Sequence, residues 1–163
     1  MAQHNKTLDL IAIGRSSVDL YGQQAGGRLE DMASFATYVG GSPTNTAIGA
    51  ARLGLKAGLV TRVGADHMGR FISEQLVREG IDTTGVIADP DRLTALVILG
   101  IRDRETFPLI FYRENAPDMA LTQMKSLRSV DAGKSLMVEA IVSKAKAKNI
   151  PRSEAQKTEI QSK

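Results

Sequence analysis

The chain contains no cysteine and no tryptophan, and its only histidines are His4 and His67. Without thiols there is no disulfide framework, thiolate zinc site, iron–sulfur cluster or cysteine nucleophile, and two histidines exclude a multi-histidine metal centre. Aromatic residues make up 4% of the sequence, which argues against a base-stacking surface for single-stranded nucleic acid. No apolar run approaches the roughly 20 residues that a membrane-crossing helix requires, and Met1-Ala2-Gln3-His4-Asn5-Lys6 lacks the charged-then-apolar form of a secretory leader. The expectation is a cytoplasmic protein with no membrane partner.

What is present, in 163 residues that are 42% hydrophobic and 24% charged, suffices for one ordinary core. The net charge of +3 is not evenly spread: residues 122–163 hold nine Lys/Arg against four Asp/Glu, and residues 1–121 hold twelve against fourteen. The basic excess belongs to the tail, so no nucleic-acid partner is expected for the main body. A contact through Lys134, Lys144, Lys146 and Lys148 would announce itself by steep salt dependence.

Leu8-Asp9-Leu10-Ile11-Ala12-Ile13 closes at Gly14 and reads as a buried strand, followed by the polar loop Arg15-Ser16-Ser17-Val18-Asp19. Residues 33–39 mix alanine, β-branched and aromatic types before Gly40-Gly41 and read as a more exposed strand. Ser42 is placed to cap a helix over 44–53, with Pro43 in its first turn and Gly54 beyond its end. Residues 57–63 predict another buried strand. Met68, Phe71, Ile72, Gln75 and Leu76 fall near one face of a helix ended by Gly80, with Met68, Phe71 and Leu76 expected in the core. This alternation is an α/β rhythm. From Gly85 the chain turns β-rich: residues 86–88, 94–101 and 108–112 read as strands, with a hairpin tipped by 102–106. Beyond residue 121 the sheet pattern is not expected to continue; residues 135–148 read as one amphipathic helix and 149–163 as a solvated end.

Gly40-Gly41-Ser42-Pro43-Thr44-Asn45-Thr46-Ala47 is the most specific constellation. Two glycines let the backbone approach a bound molecule with no Cβ in the way, and Asn45 on the first helical turn can both donate and accept hydrogen bonds. That equipment suits a hydroxyl-rich guest. A plain strand-to-helix turn accounts for the glycines equally well, and a turn or cap for Asp19. The full spacing resembles the first signature of the ribokinase-like, or PfkB-type, family of carbohydrate kinases. Ile13-Gly14-Arg15-Ser16-Ser17-Val18-Asp19 is similar to that family's first strand and substrate loop, and Val63-Gly64-Ala65-Asp66-His67-Met68-Gly69 to its Val-Gly-x-Asp-x-x-Gly segment. Val18-Asp19-Leu20-Tyr21-Gly22-Gln23-Gln24 and Phe107-Pro108-Leu109-Ile110-Phe111-Tyr112-Arg113-Glu114-Asn115 resemble members that act on a sugar acid of inositol catabolism. The resemblance covers roughly residues 8–121.

The resemblance implies a ribokinase-like α/β fold in which residues 1–121 supply the N-terminal, sugar-binding portion of a central sheet flanked by helices, plus a β-stranded lid. Residues 122–163 would be a basic, partly helical or disordered tail. It also implies ATP-dependent phosphorylation of a primary hydroxyl, with ATP and magnesium serving the full-length family. Asp19 would accept hydrogen bonds from sugar hydroxyls, Gly40 and Gly41 would bring backbone amides to them, and Asn45 would fix orientation. Arg113 could bind a carboxylate through two parallel hydrogen bonds and so select acids over neutral sugars; a solvated arginine paired with Glu114 or Glu105 is the alternative. Tyr112 is expected to pack in its strand, and His67 to be a polar residue near a helix start rather than a base.

No catalytic residue is expected in this chain. The Gly-Ala-Gly-Asp motif that carries the family's base and anion hole does not occur in the sequence, nor does Asn-x-x-Glu, associated with magnesium and phosphate. Asp131-Ala132-Gly133-Lys134-Ser135 ends like a phosphate loop, but Arg128 stands where the loop needs its first glycine. Neither ATP nor magnesium is therefore expected to bind this chain well. The expectation is the sugar-binding half of a kinase, with a non-catalytic sugar-acid-binding or interaction module as the alternative. Its partners would be a small-molecule sugar acid and, through lid strands, a second copy in a homodimer.

Overall fold

Glycine-closed apolar runs form the centre of the molecule. The computed structural model describes residues 8–121 and the strand at 136–140. In chain order these are β1 (Leu10–Gly14), β2 (Ser17–Gly22), β3 (Phe35–Gly40), α1 (Ser42–Arg52), β4 (Ala57–Gly64), α2 (His67–Arg78), β5 (Val86–Asp89), β6 (Leu96–Leu99), β7 (Leu109–Tyr112) and β8 (Leu136–Ala140). One sheet, the body, runs β5-β4-β1-β8 with every pair parallel. Parallel strands need covered faces, and the sequence supplies the cover. α1 lies on β1 and β4 through small residues, Ala47 and Ala50, and α2 packs on β4 through Ile72 and Leu76. Ile11, Leu59, Ile72 and Leu76 are fully buried, each contributing about 1.5–3 kcal/mol of burial. The other face is smaller: Leu8, Ile11, Ile13 and Val60 meet Leu121, and a 3-10 turn at Pro117–Ala120 crosses β4.

The second sheet, β3-β2-β6-β7, is the lid. β2 pairs antiparallel with β3 and parallel with β6, and β6 and β7 form the expected antiparallel hairpin. All four residues of β7 are exposed.

Several expectations are corrected. The polar stretch after Gly14 is not a loop throughout: from Ser17 it is strand β2, hydrogen-bonded on both sides, so its polar side chains ride on a ladder. Gly41, with φ 102°, holds the helix-capping position, and Ser42 is already helical with no capping role. Met68 is 37% exposed and Tyr112 57% exposed, so neither is a core residue. Residues 136–140 form β8, parallel to β1, where a helix was expected. Leu136-Met137-Val138 satisfies either pattern over so short a run, and the open edge of β1 decides. The rest of that expected helix, the sequence 131–135, the solvated end and Lys134, Lys144, Lys146 and Lys148 lie outside the described residues. Among the described residues no helix is long and apolar enough to cross a membrane.

Candidate functional site

Strand periodicity puts Asp19 and Tyr21 on one face of β2, opposite Tyr38 and Ala36 of β3. These four residues, with Gln23, Asn45 and Ile101, line a hollow of about 610 Å³ where the lid meets the start of α1. The Tyr21 and Tyr38 rings meet edge to face, with centroids 5.1 Å apart and planes at 81°, an arrangement that fixes both rings. The result is an apolar wall with an acid at its foot and an amide at its rim. Asn45 is exposed, and its side chain makes no hydrogen bond among the described residues.

The glycine pair has a steric reason. A Cβ on Gly40 would overlap the Asp19 carboxylate, and a Cβ on Gly41 would overlap the carbonyl of Arg15, in a left-handed backbone conformation that glycine alone adopts readily. Two further bonds lock the first turn of α1 to the β1–β2 connection: Ser16 Oγ and Thr44 Oγ1 share a buried hydrogen bond of 2.7 Å, and Thr44 Oγ1 donates to the Arg15 carbonyl at 3.3 Å. Asp19 is half-buried. Burial raises its carboxyl above the ordinary value, opposed by the Ser17 hydroxyl, which donates to Oδ1 at 3.0 Å, and by the Arg15 cation. A carboxylate short of partners is suited to accept hydroxyl donors.

Arg113 is not in the hollow. Its Nη2 donates to Asp118 Oδ2 at 3.2 Å, with Met119 Sδ at 3.9 Å, so its acidic neighbour is neither Glu114 nor Glu105. His67 opens α2, where the capping group is Asp66. That aspartate also joins body to lid. Oδ1 accepts from Gly69 N–H at 2.8 Å and from the Thr94 hydroxyl at 2.9 Å, Oδ2 accepts from Thr94 N–H at 2.8 Å, and Thr94 Oγ1 accepts from Gly64 N–H at 2.9 Å. Burial pushes the Asp66 carboxyl up, but these bonds together hold it below its ordinary value. Asp89 is a second such node, buried and bonded to Arg62 Nε at 2.8 Å, Arg92 Nη1 at 3.0 Å and Asp91 N–H at 2.9 Å.

Tyr21, Gln23, Tyr38 and Ile101 are lining residues not singled out from the sequence; reading β2 as a strand would have placed Tyr21 beside Asp19. A second hollow of about 590 Å³, lined by Phe35, Ile98, Pro108 and Ile110 with Arg28 and Arg102, contains none of Asp19, Gly40, Gly41, Asn45 and Arg113. Ile98 pairs with Leu20 and Ile110 with Ile98, so both lie on the lid face opposite Asp19. Among the described residues no group of three or more potential metal ligands is assembled.

The family model described as pfkB family carbohydrate kinase matches residues 7–151. Among curated relatives, the chain is 44% identical over 117 residues to a 5-dehydro-2-deoxygluconokinase of Geobacillus thermodenitrificans, covering 71% of this chain and 35% of that protein. It is 40% identical over 132 residues to the enzyme of the same name from Shouchella clausii, covering 80% and 39%. Among solved structures, it superposes on an uncharacterized sugar kinase from Pyrococcus horikoshii in complex with ATP with a TM-score of 0.63 at 30% identity, covering 68% of this chain and 35% of that one. The fructokinase of Halothermothrix orenii gives a TM-score of 0.63 at 34% identity, covering 71% and 40%. The chain thus spans little more than a third of the length of the curated relatives it matches.

Proposed function

Because the chain belongs to the pfkB family of carbohydrate kinases, we propose that its described residues are the sugar-binding part of a kinase that phosphorylates a sugar acid of the 5-dehydro-2-deoxygluconate type. The observation that carries this reading is that Asp19 and Asn45, from different elements, open on one hollow beside the Gly40-Gly41 turn. Asp19 accepts hydrogen bonds from sugar hydroxyls, the glycine amides approach them, and Asn45 sets the orientation. The tyrosine pair packs on the apolar faces of the sugar, and Arg113 turns to its carboxylate.

Phosphoryl transfer requires the hydroxyl and the terminal phosphate of ATP to be held in line. This chain supplies the first partner; the sequence contains no Gly-Ala-Gly-Asp for the second, and no step through nucleotide or magnesium is assigned to it. Residues 1–121 act as the sugar-binding unit, and residues 122–163 as a basic extension that lends β8 to the body sheet. The exposed strand β7 supports lid pairing between two copies, and the cytoplasm is the proposed compartment.

Calorimetric titration of the chain with 5-dehydro-2-deoxygluconate, with and without ATP, tests the reading alongside an assay for phosphorylated sugar. The expected result is sugar-acid binding indifferent to ATP, with no turnover. Absence of sugar-acid binding, or ATP-dependent product formation abolished by Asp19→Ala, would overturn it.

A further inference from the structure

We infer that Arg15 is a second substrate-binding cation, which together with Arg113 grips the carboxylate of the sugar acid; this rests on the sugar-acid reading above. The backbone of Arg15 is fixed against the Gly41 turn and the first turn of α1. Its carbonyl occupies the space that a Gly41 Cβ would need and accepts from the Thr44 hydroxyl at 3.3 Å, so the glycine turn and Arg15 are built against each other. Its side chain is left short of partners: Nε is buried and makes no hydrogen bond.

The charges around Arg15 do not answer that need. Asp118 spends Oδ2 on Arg113 at 3.2 Å and keeps Oδ1 buried without a hydrogen bond. Burial and then the Arg113 cation lower Arg15 from its ordinary value, and both outweigh Asp118 and Asp19, which raise it. Two guanidinium groups in mutual repulsion, one with a buried N–H to spare, are a receptor for an anion. Neither arginine lines the 610 Å³ hollow, yet Arg15 acts electrostatically on Asp19. One guest can therefore set its hydroxyls at Asp19 and direct a terminal carboxylate beyond the acid toward the arginines. A neutral sugar would leave both cations unanswered.

The test is titration of the chain and of Arg15→Gln with two ligands: 5-dehydro-2-deoxygluconate, and the neutral sugar carrying a hydroxymethyl group in place of the carboxylate. The chain should prefer the acid by at least about tenfold, and Arg15→Gln should lose most of that preference. Arg15→Lys, which keeps the charge and most of the stem, should retain part of the preference. It also stands in should Arg15→Gln fail to fold, and an undiminished preference in Arg15→Lys would then count against the forked grip. Full acid preference in Arg15→Gln would overturn the role of Arg15 and leave the sugar-acid reading intact. Equal affinity of the unaltered chain for both ligands would overturn the two together.

Discussion

At the scale of single residues, Asp19 differs from Asp66 and Asp89 in what burial does to it. Hydrogen bonds and cations hold Asp66 and Asp89 below their ordinary values against burial, so each adds stability that is present above the unfolded value near 4 and lost as pH falls through the folded one. Asp19 is raised, chiefly by burial. Its folded form binds a proton more tightly than its unfolded form, so stability falls as pH climbs from the unfolded value through the folded one, and the deficit persists at neutral pH. Asp19→Asn should therefore melt at the same temperature or higher at pH 7. It should bind the sugar acid about ten- to a hundredfold more weakly, the equivalent of a charged hydrogen bond of about 1.5–3 kcal/mol. Thermal melts from acid to neutral pH and calorimetry check both; a lower melting temperature at pH 7 with unchanged affinity would contradict the assignment. Asp19, the glycine pair and Asn45 were legible because they fall within short motifs. The orphaned Nε of Arg15 was not, since burial without a partner is a property of the folded chain that the short motif around it does not record.

At the scale of elements, the junction of Asp66, Thr94 and Gly64 ties the end of β4 and the start of α2 to the entrance of β6. Thr94 is 6% exposed, so Thr94→Val leaves the Gly64 N–H lacking a partner in a closed space and removes one of the two bonds to Asp66 Oδ1. The expected cost is about 1–3 kcal/mol, read from denaturant unfolding, with Thr94→Ser recovering most of it; an unchanged midpoint for Thr94→Val would show that the junction carries no stability. Glycines made most of the body readable: Gly14, Gly54, Gly64 and Gly80 close or follow β1, α1, β4 and α2. β2 was partly obscured because Ser17 and Asp19 look like loop residues when the partners on either side are unknown. β8 was missed because Leu136-Met137-Val138-Glu139-Ala140 is too short for its period to separate helix from strand; only a neighbouring strand edge selects one.

At the scale of the molecule, the lid sheet carries Asp19 and ends β3 at Gly40, the chain passes between lid and body at Arg15 and Ser16, at Gly41 and at Thr94, and the hollow lies where β3 hands over to α1. The second hollow, on the opposite face of the lid, is a built-in control. The account is tested most directly by the amide proton–nitrogen NMR spectrum of the chain titrated with 5-dehydro-2-deoxygluconate. Saturable shifts are predicted at Asp19, Tyr38, Gly40, Gly41 and Asn45, with Leu29, Phe35, Ile98 and Ile110 undisturbed. Shifts confined to the latter four residues, or none at saturating ligand, would contradict it.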